Sequence, residues 1–127
     1  MHLLDTNALF SILSNPSRLG KKTQKLLANS EHIYISPVSV FEIAIKNMIG
    51  KIHLTLPLRE LLRMHNFVSL PLRVEDALET YSLPSLSRHD PFDRMILATA
   101  RANGAKLLTS DRKLLGMGFD WIIDSYK

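Results

Sequence analysis

The chain contains no cysteine, which removes disulfide frameworks, thiolate zinc sites and cysteine nucleophiles in one stroke and suits a reducing compartment. Long hydrophobic runs are missing as well: nothing approaches the roughly 18 apolar residues that a membrane span requires. His2-Leu3-Leu4-Asp5 follows Met1 directly, with no basic segment leading into a hydrophobic signal core. The expectation is a soluble, cytoplasmic protein. The five glycines form neither a Gly-rich phosphate loop nor a dinucleotide fingerprint, and no Gly-x-Ser-x-Gly elbow presents a serine nucleophile. Aromatic residues are few and scattered, five Phe, three Tyr and one Trp, so the stacking platform wanted for a sugar substrate is thin.

What remains is an ordinary globular composition. The 127 residues, 46% hydrophobic and 22% charged, suffice for one domain with a real core, taken here as 1–127. Sixteen Lys and Arg against twelve Asp and Glu give a formal charge of +4. If four carboxylates are gathered in one site, sixteen basic residues face eight acidic ones over the rest of the chain. A basic surface around an acidic cleft suits a polyanionic substrate.

Helical and extended patterns alternate. His2–Leu4 reads as a buried strand running into a helix over about Thr6–Leu13, which Asn15-Pro16-Ser17 breaks. A second helix starts near Ser17 and runs to about Ala28. His32–Ser36 alternates as a strand, and Ser36-Pro37 opens a helix that stops at Gly50. Pro57 begins another helix to about His65; Phe67–Leu70 follows as a strand and Val74–Tyr81 as a helix. Asp90-Pro91-Phe92-Asp93 opens the clearest helix, ending at Asn103-Gly104, before strands at Lys106–Leu108 and Trp121–Ile123. Such alternation predicts an α/β fold with a parallel sheet covered on both faces. Ligands of such sheets bind beyond the C-terminal ends of the strands.

Four carboxylates fall where that rule directs attention. Asp5 stands at a strand-to-helix junction, equally the place of an N-cap. Glu42 lies beside an apolar stripe of Val38, Phe41, Ile45 and Ile49, although pairing with Lys46 at i+4 would also account for it. Asp93 is the third helical residue after the cap Asp90, where helix capping and ion binding compete as explanations. Asp111 follows Leu107-Leu108-Thr109-Ser110, just past a strand end, and could simply make a turn. Each bland reading is adequate alone; none explains why all four can face the same rim. A thiol-free carboxylate cluster prefers hard cations such as Mg²⁺ or Mn²⁺, which serve phosphoryl chemistry. Paired carboxylates also fit glycoside hydrolysis. Among the five histidines, His89 lies near Asp90 but reads as a surface or supporting residue, and the others have no metal-ligand spacing.

Leu3-Leu4-Asp5-Thr6-Asn7, Ser36-Pro37-Val38-Ser39-Val40-Phe41-Glu42-Ile43, Asp90-Pro91-Phe92-Asp93-Arg94 through Ala100, and Leu108-Thr109-Ser110-Asp111 together resemble the motifs of a PIN-domain nuclease, most nearly the VapC-type toxins of toxin–antitoxin pairs. The resemblance implies a three-layer α/β/α sandwich with a central parallel sheet and Mg²⁺- or Mn²⁺-dependent cleavage of RNA, leaving a 5′-phosphate and a 3′-hydroxyl. It implies metal carboxylates at Asp5, Asp93 and Asp111, with Glu42 acting directly, through a water or on a second ion. Thr6 and Ser110 would orient these by hydroxyl hydrogen bonds, Asp90 would lie further out, and Arg94 or Arg112 would grip the RNA backbone. A homodimer and a small antitoxin partner are implied too. The stretch Ile43–Phe67, rich in Ile, Leu and Met, reads as mostly core with a surplus that could groove an antitoxin helix. Rival readings are a catalytically silent PIN-like module that binds RNA or protein, a metal-dependent phosphatase, and a nuclease acting on DNA.

Overall fold

The computed structural model describes residues 1–83 and 90–127. Its five strands are β1 (His2–Leu4), β2 (Ile33–Ile35), β3 (Phe67–Ser69), β4 (Lys106–Thr109) and β5 (Ile122–Asp124). They form one sheet in the order β3-β2-β1-β4-β5, parallel throughout. The helices are α1 (Thr6–Ser14), α2 (Lys21–Ala28), α3 (Pro37–Met48), α4 (Leu58–Arg63), α5 (Val74–Leu78), α6 (Pro91–Ala102) and α7 (Arg112–Leu115).

The strands are short and buried, and their side chains alternate between two cores. Leu3 and Leu107 point to one face, where they meet Ile96, Leu97 and Ala100 of α6 and Leu114 of α7. Leu4 and Leu108 point to the other, against Ala8, Leu9 and Ile12 of α1, Ile43 of α3 and Leu61 of α4. Each fully buried Leu or Ile contributes on the order of 2 kcal/mol. The three-layer α/β/α arrangement expected from the sequence is what these two cores build.

Helix boundaries follow local chemistry where the cap is strong. Ser36 accepts the Val38 N–H, Pro37 fills the first helical position, and α3 ends before Gly50, which takes φ 79°. Asp90 accepts the Phe92 N–H to start α6, and Gly104, at φ 62°, turns the chain into β4.

Three expectations need correction. The helix placed over 17–28 is a 3₁₀ turn at Pro16–Arg18 followed by α2 from Lys21. The C-terminal segment decides this: Gly20 N–H donates to Ser125 O and Lys22 N–H to Lys127 O, so the backbone at Gly20 is spoken for. The helix placed over 74–81 is split into α5 and a 3₁₀ turn at Glu79–Ser82. On α3 the buried residues are Val38, Ser39 and Ile43, whereas Phe41 is 58% exposed and Ile49 also faces outward. The stripe drawn through Phe41 and Ile49 is therefore not the core face. The mostly-core reading of 43–67 holds in part: Ile52, Leu54, Leu58, Leu62 and Phe67 pack, partly buried, against the core that contains Ile43 and Leu61, whereas Met48, Ile49, Leu56 and Met64 are exposed.

Candidate active site at the sheet's switch point

Strand order runs outward from β1 in both directions, to β2 and β3 on one side and to β4 and β5 on the other. The crevice of an open α/β sheet lies at such a reversal, at the C-terminal strand ends. Asp5 follows β1 and Asp111 closely follows β4, so the two flank that crevice.

Pairing of Leu4 with Leu108 brings Asp5 level with Thr109, and Asp5 N–H donates to Leu108 O at 3.0 Å. The Asp5 carboxylate caps α1, with Oδ1 accepting the Ala8 N–H at 2.8 Å. Its Oδ2 accepts the Thr109 hydroxyl proton at 2.5 Å. The residue is only 6% exposed. Burial, foremost, pushes its carboxyl up to about 6, and the negative charges of Asp93 and Asp111 push the same way. The bonds from Thr109 and Ala8 partly offset that rise. Three of the four carboxylates expected from sequence thus feel one another.

Asp93 sits in the first turn of α6, where the helix dipole favours a negative charge. Asp111 is an N-cap as well as a rim residue, its Oδ1 accepting the Lys113 N–H at 2.8 Å. Asp90 is exposed and caps α6. Glu42 is anchored on both oxygens: Oε1 accepts the Thr6 hydroxyl proton at 2.9 Å, and Oε2 pairs with Lys46 Nζ at 2.7 Å. The Thr6 oxygen also lies 3.2 Å from the hydroxyl of buried Ser39.

Among the described residues, no three His, Asp or Glu side chains converge closely enough to hold an ion as they stand. The donor chemistry nevertheless fits a hard cation. The groups are carboxylates without thiols, one is buried, and their mutual repulsion is what a divalent charge relieves. Asp5, Asp93 and Asp111 would hold it.

The two arginines considered for RNA contact have partners. Arg94 donates to Thr80 Oγ1 at 2.9 Å, tying α6 to the 3₁₀ turn. Arg112 makes a paired contact with both oxygens of Asp124, at 2.9 and 2.8 Å, and lies over the Tyr126 ring. The Arg112 guanidinium holds the Asp124 carboxyl below its ordinary range. Ser110 contributes its carbonyl, which accepts from Arg112 Nε. His89 lies outside the described residues. The residues that sequence reasoning passed over are Thr109 and Ser39. Strand register was the available signal for Thr109, since a hydroxyl beside Asp5 in the neighbouring strand must face it or the opposite core.

A groove of about 650 Å³ opens between β2, β3 and α4, lined by Ile35, Val40, Leu58, Leu62 and Phe67 with Arg59, Arg63 and His65. No helix among the described residues is long and apolar enough to cross a membrane.

Comparison with known proteins agrees with this architecture. Ribonuclease VapC22 of Mycobacterium tuberculosis is 28% identical over 114 residues, which cover 88% of either chain. A toxin–antitoxin complex from Klebsiella pneumoniae contains a chain that superposes with a TM-score of 0.72 at 22% identity, covering 100% of this chain and 99% of that one. VapBC2 from Rickettsia felis, bound to a DNA fragment from its promoter, matches with a TM-score of 0.68 at 17% identity, covering 96% and 95%. At those identities the two structures speak for the fold alone. The sequence profile of the PIN domain matches residues 2–119, nearly the whole chain, and the protein belongs to the PIN-domain family.

Proposed function

We propose that this chain is a metal-dependent endoribonuclease and the toxin of a toxin–antitoxin pair, using Mg²⁺ or Mn²⁺ held by Asp5, Asp93 and Asp111. The observation that carries the reading is Asp5, a carboxylate buried at the sheet's switch point and raised by burial and by two neighbouring carboxylates. Such an arrangement is costly without a cation. The similarity to a protein named as a ribonuclease supports RNA as the substrate class.

When bound, a divalent ion supplies Lewis acidity toward the scissile phosphate and activates water for its hydrolysis. The chain's own residues do the rest. Thr109 and the Ala8 N–H fix the Asp5 carboxylate, and the dipole of α6 favours ionised Asp93. Thr6, next to Asp5 in the chain, holds Glu42, the residue proposed to take a proton from the attacking water. The products carry a 5′-phosphate and a 3′-hydroxyl. The excess of basic residues outside the site draws the polyanion in.

The groove beside α4 is the proposed seat of an antitoxin segment, its apolar floor taking hydrophobic side chains and Arg59 and Arg63 pairing with acidic ones. Co-expression with the antitoxin should protect 43–67 from limited proteolysis; unchanged cleavage would count against this seat. The chain is further proposed to act as a cytoplasmic homodimer, which sedimentation of the purified protein would check.

The activity test compares cleavage of a labelled structured RNA by wild type and Asp5→Asn in Mg²⁺, in Mn²⁺ and in EDTA. Cleavage that needs metal and vanishes in Asp5→Asn is the expected result. The carboxylates do not converge as they stand, which gives a silent binding module a claim. RNA bound equally by both proteins and cleaved by neither would favour that module.

A further inference from the structure

Residues 6–30 contain no Asp or Glu, yet they hold Arg18, Lys21, Lys22 and Lys25. All four are exposed, and among the described residues none of them pairs with a carboxylate. In a chain whose net charge is only +4, this segment is a local concentration of positive field. A solvated helix face would account for the lysines alone; it does not account for where they stand.

The first turn of α2 is tied to the C-terminal end of β5. Gly20 N–H donates to Ser125 O at 3.0 Å, and Lys22 N–H donates to Lys127 O at 2.8 Å. That end of β5 is level with the end of β4, because Asp124 pairs with Thr109 and Ser125 N–H donates to Thr109 O. Asp111 follows two residues after Thr109. Arg18, Lys21 and Lys22 therefore lie along the rim that carries the crevice, on its β5 side. Tyr126 spans the interval: in the chain it separates Ser125, bonded to β4, from Lys127, bonded to α2. Its side chain is 56% exposed, and the Arg112 guanidinium lies 5.7 Å from the ring centroid. Arg112 also donates to both Asp124 oxygens, so the carboxylate at the end of β5 is already matched by a cation.

We propose that Tyr126 with Arg18, Lys21 and Lys22 forms a track for RNA flanking the cleaved phosphodiester, one base stacking on the Tyr126 ring and the phosphates beyond it meeting the cations of α2. The inference rests on the endoribonuclease reading above and says where the substrate lies outside the crevice. Single-stranded nucleic acid is held in general by a line of positive charge interleaved with aromatic faces, and stacking accepts any base. Side chains carry the track, since the Lys22 N–H at the start of α2 is already taken by Lys127 O. An acidic protein segment would use the cations and leave the ring idle, so RNA is the occupant that the arrangement favours.

The test is binding of a fluorescein-labelled single-stranded RNA of about twelve nucleotides to the whole chain, read by anisotropy in EDTA so that cleavage does not intervene. Lys21→Gln combined with Lys22→Gln should weaken binding about tenfold at about 0.1 M salt. The pair should also flatten the dependence of log Kd on log salt by about 1.4, the share of two phosphate contacts on a single strand. Tyr126→Leu should weaken binding about tenfold with the salt dependence unchanged, and Tyr126→Phe should stay within about twofold of wild type. Lys106 starts β4 and Lys51 follows the end of α3, both away from the rim. Lys51→Gln combined with Lys106→Gln removes the same charge there and should leave affinity within about twofold. A loss in that control equal to the loss in the α2 pair would mean diffuse attraction and would overturn the track. So would wild-type affinity in Tyr126→Leu, or no RNA binding by the folded wild type. A Glu-rich peptide that binds more tightly than the RNA and loses affinity in Tyr126→Leu would give the surface to a protein partner instead. The nuclease reading is tested apart, by cleavage in Mn²⁺: RNA held through the track but left intact by wild type would sink that reading and leave the track standing.

Discussion

Thr109 sits between two of the candidate carboxylates, giving its hydroxyl proton to Asp5 Oδ2 and accepting the backbone N–H of Asp111 on the same oxygen. It is fully buried, so neither bond is exchanged for water. One side chain therefore ties Asp5 to Asp111 across the ends of β1 and β4, where the crevice opens.

Thr109→Val keeps the shape and removes both bonds. Buried ionised Asp5 then loses a charge-assisted donor, at a cost of about 1.5–3 kcal/mol. Urea unfolding at pH 8 should show that loss, and RNA cleavage should fall with it. Thr109→Ser restores the hydroxyl and should recover most of the cleavage, at the smaller cost of one buried methyl. A Ser variant as impaired as the Val variant would point to packing instead of hydrogen bonding.

Asp111 has two duties that substitution separates. Its carboxylate caps α7 through the Lys113 N–H, and its charge bears on Asp5. Asn preserves capping and removes charge, whereas Ala removes both. The expected outcome is two variants equally poor in Mg²⁺-dependent cleavage, with Ala less stable than Asn by about 0.5–2 kcal/mol. Activity surviving in Asp111→Asn would remove this residue from the metal site.

How much of this was legible in the sequence depended on the range of the forces involved. Ser36-Pro37, Asp90-Pro91 and the glycines at 50 and 104 are local signals, and the helices they bound fall where the pattern puts them. The start of α2 is set by residues more than one hundred positions away, at Ser125 and Lys127, and no local rule contains that. The face of α3 was misdrawn because Ser39, polar by type, is buried by its bond to Thr6, while apolar Phe41 is left outside beside Phe92. The candidate carboxylates could be read because strand ends locate a crevice. Their supports could not, since Thr109 reaches Asp5 only through strand register.

Gly20 tests the long-range contact directly. A Cβ there would lie 2.1 Å from the Lys127 carbonyl carbon and 2.3 Å from the Tyr126 carbonyl oxygen, both backbone atoms. Gly20→Ala should therefore displace the C-terminal segment and cost about 1–3 kcal/mol, although its own φ of −66° suits alanine. The same substitution in a chain lacking Tyr126 and Lys127 should be neutral in thermal melts. Destabilisation in both backgrounds would place the cause at the cap of α2.

Asp5 makes the apo protein's stability depend on pH in a definite direction. Its carboxyl rises from the ordinary 3.8 to about 6, so the folded chain holds the proton more tightly than the unfolded one. The stabilisation that this proton brings is complete below about pH 3.8 and is lost as pH climbs to about 6. Above that, ionised Asp5 carries a constant penalty on the order of 2–3 kcal/mol. Asp5→Asn stays neutral and still caps α1, so in EDTA at pH 8 it should be more stable than wild type by on the order of 1–2 kcal/mol. The two should converge near pH 4. Millimolar Mg²⁺ at pH 8 should raise the wild-type melting temperature and leave Asp5→Asn nearly unmoved, because binding stabilises only a fold that offers the charged site. A variant that is both inactive and more stable than its parent identifies a carboxylate kept for chemistry at a cost to the fold. An Asp5→Asn chain less stable than wild type across this range would mean that Asp5 serves α1 as a cap and little else.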